Sequence, residues 1–142
     1  MSDPRDTITL AHGGGGRATR SLIEGTILRH FGKPDSKGLQ DHAELSPPPG
    51  HQIAFTTDSF VVQPLFFPGA DIGKLAVNGT VNDLAVSGAI PRVLSCSLIL
   101  EEGLEISVLG QIIASMTQAA VEAQVQIVTG DVKVVEKGAA DQ

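Results

Sequence analysis

Residues 71–88, Asp-Ile-Gly-Lys-Leu-Ala-Val-Asn-Gly-Thr-Val-Asn-Asp-Leu-Ala-Val-Ser-Gly, constrain the fold more than any other stretch of the chain. At about 100° per residue the spacing predicts a helix over 71–87. Ile72, Ala76, Gly79, Asp83 and Val86 share one face, and Val77, Val81 and Leu84 share another. A helix apolar on nearly all sides is expected to be buried on most of them. Yet this one carries Asp83 and a polar stripe of Lys74, Asn78 and Asn82 at i, i+4 and i+8. A charge in an apolar interior is costly unless it is paired or holds a metal. The combination points to a binding site built on a core helix.

Around that helix, strands and helices alternate. Residues 7–12 read as a short strand, and 17–31 as a helix with Leu22, Ile23, Ile27 and Phe31 at helical spacing. Residues 33–51, polar and carrying three consecutive prolines, read as a loop. Residues 52–57 alternate and predict a strand ending at Asp58, while 64–69 reads as an irregular turn. A strand is expected over 92–101. A helix follows, marked by Ile106, Leu109, Ile113, Met116, Ala120 and Ala123. Two strands, 126–129 and 133–136, are expected around a turn at Gly130-Asp131. The sum is one α/β (or α+β) domain, and 142 residues suffice for a real core.

Composition removes several functions. Ten basic against sixteen acidic residues disfavour nonspecific binding to a phosphate backbone, and the absence of Trp and Tyr disfavours base stacking, so no nucleic-acid partner is expected. No apolar run reaches membrane-spanning length, and no apolar signal region follows Met1. Cys96 is the single cysteine, which fits a reducing, cytoplasmic compartment. In its apolar setting it reads as a small buried hydrophobe rather than a nucleophile.

Three groups of residues can carry chemistry. Gly13, Gly14, Gly15 and Gly16 join a predicted strand to a predicted helix. Glycines permit close backbone approach, and a helix start offers unpaired N–H donors, so the loop reads as a phosphate cradle. His12, beside it, is the one histidine placed to join that site. Gly13, Gly15 and Ala18 also fit a dinucleotide fingerprint, but no compact βαβ unit with a suitable acidic residue follows. Asp58, Asp83 and Asp131, with Asn82 nearby, could converge on Mg²⁺, which prefers oxygen ligands and substrate phosphates; the bland alternative is that each caps a helix or satisfies a turn. Lys74 and Lys133 can hold phosphates as point charges. The P-loop likeness of residues 69–75 fails on spacing and on Leu75.

Four segments taken together resemble the N-terminal domain of the carbamoyl dehydratases of nickel–iron hydrogenase maturation: residues 10–16, 57–69, 71–91 and 128–135. The wider group is the PurM-like ATP-binding enzymes, including aminoimidazole ribonucleotide synthetase and selenophosphate synthetase. The resemblance implies a mixed β-sheet with helices on one face, two copies pairing into a barrel-like dimer interface, and ATP and Mg²⁺ at its edge. In the complete enzyme, ATP activates the oxygen of a thiocarboxamide on a C-terminal cysteine. Loss of that oxygen as phosphate leaves a thiocyanate, the source of the cyanide ligands of the iron. A carbamoyltransferase and an iron–cyanide scaffold are the implied partners. Carried over by motif, Asp58, Asp83 and Asp131 would be associated with metal, Gly13 to Gly16 would cover phosphates, and Lys74, Asn82 and Lys133 would contact nucleotide or orient the metal.

Two departures from the pattern matter. Val132 stands where these proteins usually carry Thr. The chain also stops at Gln142, so the second domain and its modified cysteine are expected to lie outside it, and no dehydration in cis is expected. A dimerisation module without nucleotide affinity is the alternative reading.

Overall fold

A computed structural model of the chain describes residues 6–32, 40 and 42–140. A 3-10 turn, Leu10–Gly13, leads into a helical run: α1 (Arg17–Leu22), a π-helical segment (Ile23–Ile27) and α2 (Leu28–Phe31). A small hairpin follows, β1 (Phe66–Phe67) with β2 (Ala70–Asp71), then α3 (Ile72–Val86), β3 (Val93–Glu101), α4 (Ile106–Glu122) and β4 (Gln126–Val135). β1 and β2 are antiparallel, whereas β3 and β4 are parallel and joined through α4. The architecture is mixed α/β, as the alternation predicted.

α4 organises the core. Leu109, Ile113, Met116 and Ala120 recur at helical spacing and are buried. Its first half packs with Ile8, Leu22, Ile27, Leu100 and Val132; its second half packs with Val77, Leu94 and Val125. The core side of β3, Leu94, Cys96, Leu98 and Leu100, faces these residues, as strand alternation requires. α3 lies across α4 at close range: a Cβ on Gly73 would stand 2.5 Å from the Ile112 carbonyl oxygen.

Both long helices end in the same device. After α3, Gly88 N–H bonds Ala85 and Ala89 N–H bonds Leu84; after α4, Gln124 N–H bonds Val121 and Val125 N–H bonds Ala120. These are Schellman ends with a left-handed residue, Gly88 at φ +81° and Gln124 at φ +57°.

Several expectations fail. Residues 7–12 form no strand: Thr7 makes a single bridge to Glu105, and the chain then tightens into the 3-10 turn. Residues 52–57 form no strand and pair with nothing among the described residues. Within residues 64–69, Phe66 and Phe67 enter the β1–β2 hairpin, whose turn is Pro68-Gly69 with Gly69 at φ +87°. β4 runs unbroken through Gly130 and Asp131, so there is no turn there. Gly130 is needed for a different reason: a Cβ on it would lie 2.1 Å from the Cys96 carbonyl oxygen. Val128 is bulged out, where the pairing shifts between Leu94–Ile127 and Ser95–Thr129. Of the loop expected over 33–51, residues 33–39 and 41 lie outside the described residues; the rest forms no helix or strand.

The largest correction concerns α3. Only Gly73 and Val77 are buried; Asn78, Asn82, Asp83 and Val86 are exposed. One face packs on α4; away from it, among the described residues, the Phe60 ring sits on the helix at Gly79 while Asn78, Asn82, Asp83 and Val86 stay exposed. Asp83 is therefore not a charge in an apolar interior. The buried acid is Asp71, which precedes the helix.

Candidate functional site

The glycine turn is held from two sides. Gly13 lies against β4, where a Cβ would stand 2.6 Å from the Val134 nitrogen. Gly15, at φ +76°, donates its N–H to Thr19 Oγ1 at 3.0 Å, and the buried Thr19 hydroxyl reaches back to the Ala11 carbonyl at 3.5 Å. Gly14, Gly15 and Gly16 are exposed, and the space around Gly15 and Gly16 is open. The backbone of this turn is thus ordered but uncovered.

His12 locks the entry to the turn. Thr9 N–H donates to His12 Nδ1 at 3.0 Å, and Thr9 Oγ1 lies 3.0 Å from the same nitrogen. A backbone N–H can only donate, so Nδ1 is the unprotonated nitrogen and Nε2 carries the hydrogen.

The two helix starts differ in a telling way. At α3, Asp71 accepts the N–H of Lys74 at 3.0 Å, so this start is capped. At α1 the N-cap is Gly16, which has no side chain, and no side-chain cap closes the first turn. First-turn N–H groups have no partner inside a helix, and their aligned dipoles favour an anion. The open start is the one that follows the glycine turn.

The remaining candidates fall into two groups. Asp131 and Lys133 sit on the open face of β4, in the strand that the glycine turn touches. Lys133 Nζ donates to Asp131 Oδ2 at 2.6 Å and Val132 N–H donates to Asp131 Oδ1 at 2.9 Å. The lysine hydrogen bond first, then the backbone one, holds the Asp131 carboxyl below its ordinary range. Lys74, Asn82 and Asp83 lie along α3, whose main contacts are with α4 and β2 rather than with the glycine turn. Asp58 is exposed on the segment that precedes β1. Among the described residues no three His, Cys, Asp or Glu side chains come close enough to hold a metal. The convergence of Asp58, Asp83 and Asp131 within one chain is therefore not found. Asp131 is tied to Lys133, and it lies on a different element from the other two. The side chains of Asp58 and Asp83, by contrast, make no hydrogen bond or ion pair among the described residues.

Cys96, expected to be buried, is half-buried on the core side of β3. Its Sγ lies 3.6 Å from Met116 Sδ, and burial pushes the thiol up to about 11.

Residues 39–142 match the family described as AIR synthase related protein, N-terminal domain. The chain belongs to that family. Within it, the chain is similar to the carbamoyl dehydratase HypE of Rhodobacter capsulatus, at 54% identity over 140 residues, 96% of this chain and 40% of the relative. A crystal structure of the hydrogenase maturation protein HypE in complex with ATP superposes at TM-score 0.87 with 53% identity, covering 94% of this chain and 39% of that one. A crystal structure of a HypE–HypF complex matches at TM-score 0.57 and 60% identity over 58% of this chain and 27% of that one. The chain thus spans about two fifths of the length of the curated relative.

Proposed function

We propose that this chain is the ATP-binding, dimer-forming part of a hydrogenase maturation dehydratase. The observation that carries the reading is the uncapped start of α1 behind an ordered, uncovered glycine turn. Its free N–H groups suit the phosphates of a nucleotide, and a relative of the same fold has been crystallised with ATP. Arg17 and the Nε2–H of His12 border the same turn and add donors.

Asp58 and Asp83, both without partners among the described residues, are the carboxylates left to hold Mg²⁺. A pair is sufficient, because Mg²⁺ takes one or two carboxylates and completes its shell with phosphate oxygens and water. The cation would neutralise charge on the transferring phosphoryl group. Asn82 adjoins Asp83 on α3, and Lys74 lies about two and a half turns nearer the start of that helix; Lys133 and Asp131 lie on the strand that the glycine turn touches. The two groups belong to different parts of the chain, so we place the complete site between two copies, with the glycine turn of one facing α3 of the other. The apolar surface left open here supports such pairing. Phe55 is 86% exposed, and Ile53, Val61 and Ile99 are also largely exposed.

In the whole protein the activity would be ATP-dependent dehydration of a cysteine thiocarboxamide to a thiocyanate. An amide-type oxygen leaves poorly until phosphorylated, and phosphoryl transfer depends on positioning and charge neutralisation more than on a protein nucleophile. That fits a chain whose one cysteine is half-buried and held as a thiol. The carbamoyl donor would be a carbamoyltransferase, and the cyanide would pass to an iron-bearing scaffold, with the whole sequence taking place in the cytoplasm. The same exposed apolar surface also favours the second reading, a dimerisation module without nucleotide affinity.

Thermal unfolding with and without Mg-ATP separates the two. Ligand at a hundredfold its Kd stabilises by about 2.7 kcal/mol. A rise in Tm with Mg-ATP but not with NAD is expected; a Tm unchanged at millimolar Mg-ATP in a dimeric sample would select the second reading.

A further inference from the structure

Gly79 stands in the middle of α3, where glycine costs about 1 kcal/mol relative to alanine. Its place is explained by one neighbour. A Cβ on Gly79 would lie 2.7 Å from both Cε1 and Cζ of Phe60, so the ring is seated directly on the bare helix backbone. Phe60 is half-buried, while Ser59 and Val61 on either side of it are exposed. The segment it belongs to forms no strand, and no backbone hydrogen bond holds residues 52–62 among the described residues. The ring on the glycine is therefore a principal tether of this segment to the body of the domain.

Each end of the contact has an acid close to it in sequence. Asp58 is two residues before Phe60, within about 7 Å of it along the chain. Asp83 is four residues after Gly79, one turn and about 6 Å farther along the same helical face. We infer that the Phe60–Gly79 contact is a clamp that positions Asp58 opposite Asp83, setting the separation of the two carboxylates proposed to share a divalent cation. Gly79 and Phe60 touch neither cation nor nucleotide in this scheme; they are positioning residues. The inference rests on the reading of Asp58 and Asp83 as cation ligands.

The clamp itself is tested without any ligand. Hydrogen exchange of residues 52–62 is measured in the parent chain and in Gly79→Ala, Phe60→Ala and the double variant. The methyl of Gly79→Ala meets only the tip of a ring on an unpaired segment, so the ring moves and the helix stays folded. Exchange in 52–62 is expected to rise at least several-fold in each single variant and no further in the double variant, because both changes remove one contact. Additive increases, or none, would overturn the clamp. Its role is then read from the Mg²⁺ dependence of ATP binding by calorimetry. The expected result is a weakening of about tenfold or more in the Mg²⁺-dependent part of the affinity in Gly79→Ala, with metal-free ATP binding unchanged. Faster exchange with an unaltered Mg²⁺ dependence would overturn the positioning role. If Asp58→Ala and Asp83→Ala also leave that dependence unaltered, the ligand assignment has failed rather than the clamp.

Discussion

The same substitution at two glycines of one helix should have opposite effects on stability. Glycine to alanine in a helix interior gains about 1 kcal/mol from the backbone alone. At Gly73 the new methyl would stand 2.5 Å from the Ile112 carbonyl oxygen and 3.1 Å from both Ile112 Cγ2 and Asp71 Oδ1. The first obstacle is the backbone of α4, so the two helices must separate. Overpacking of this kind costs about 3 kcal/mol at the upper end of its usual range, leaving a net loss of about 2 kcal/mol. At Gly79 the obstacle is the tip of the Phe60 ring, which can turn away; the lost ring contact takes back part of the helical gain, so at most about 1 kcal/mol survives. Unfolding entropy for a chain of 142 residues is about 0.3 kcal/mol per kelvin. The expected shifts in Tm are therefore a fall of about 7 °C for Gly73→Ala and a rise of at most about 3 °C for Gly79→Ala. Thermal unfolding followed by far-UV circular dichroism, with urea midpoints as a check, reads both. Shifts of the same sign and size would refute the claim that α3 approaches α4 at the backbone while meeting only a loop side chain on its other side.

Three further outcomes follow from the geometry. Asp71→Ala removes the cap on Lys74 N–H and should cost about 1 kcal/mol, or about 3 °C in Tm, whereas Asp83→Ala should leave Tm unchanged. Gln124→Gly relieves a left-handed residue at the end of α4 and should stabilise by about 1 kcal/mol in urea unfolding. Cys96 in the folded chain should resist iodoacetamide at pH 8 by mass spectrometry and react once urea unfolds it. Because burial raises its titration to about 11, the stability held by the neutral thiol is present below the ordinary thiol range and is lost as pH rises through about 11.

What the sequence disclosed depended on whether the deciding contacts were local. α3 ends where Gly88 stops it, and glycine in a left-handed position is readable from residues alone. α4 ends in the same geometry at Gln124, where no such signal exists and the burial of Val125 holds the end. Alternation in residues 52–57 announced a strand, but a strand needs a partner, and these residues pair with none within the described residues. Gly130-Asp131 looked like a turn because both residues favour turns; the bare glycine instead lets β4 pass close to Cys96. The apolar run of α3 suggested a helix buried all round. Its moderately hydrophobic residues are in fact divided between a packed face and an uncovered one, and that division depends on layers outside the helix.

The candidate site was legible in a similarly uneven way. The glycine turn and the helix behind it were visible from spacing. That α1 is left uncapped while α3 is closed by Asp71 was not, because which residue takes the cap position, and whether a side chain reaches the first-turn N–H groups, is decided by where the chain turns into each helix. The three acids were picked by residue type; the structure separates Asp131, tied to Lys133, from Asp58 and Asp83, which have no partner among the described residues. Phe60 gave no chemical signal at all, since its effect is exerted through a glycine on another element.

The most direct measurement is an amide NMR titration of the chain with ATP. Binding at the uncapped start of α1 predicts that the largest shifts fall on Gly14, Gly15, Gly16, Arg17 and Ala18, with those of the Asp71 and Lys74 amides small. Saturating ATP that leaves the glycine turn unmoved, or that shifts the start of α3 instead, would contradict it.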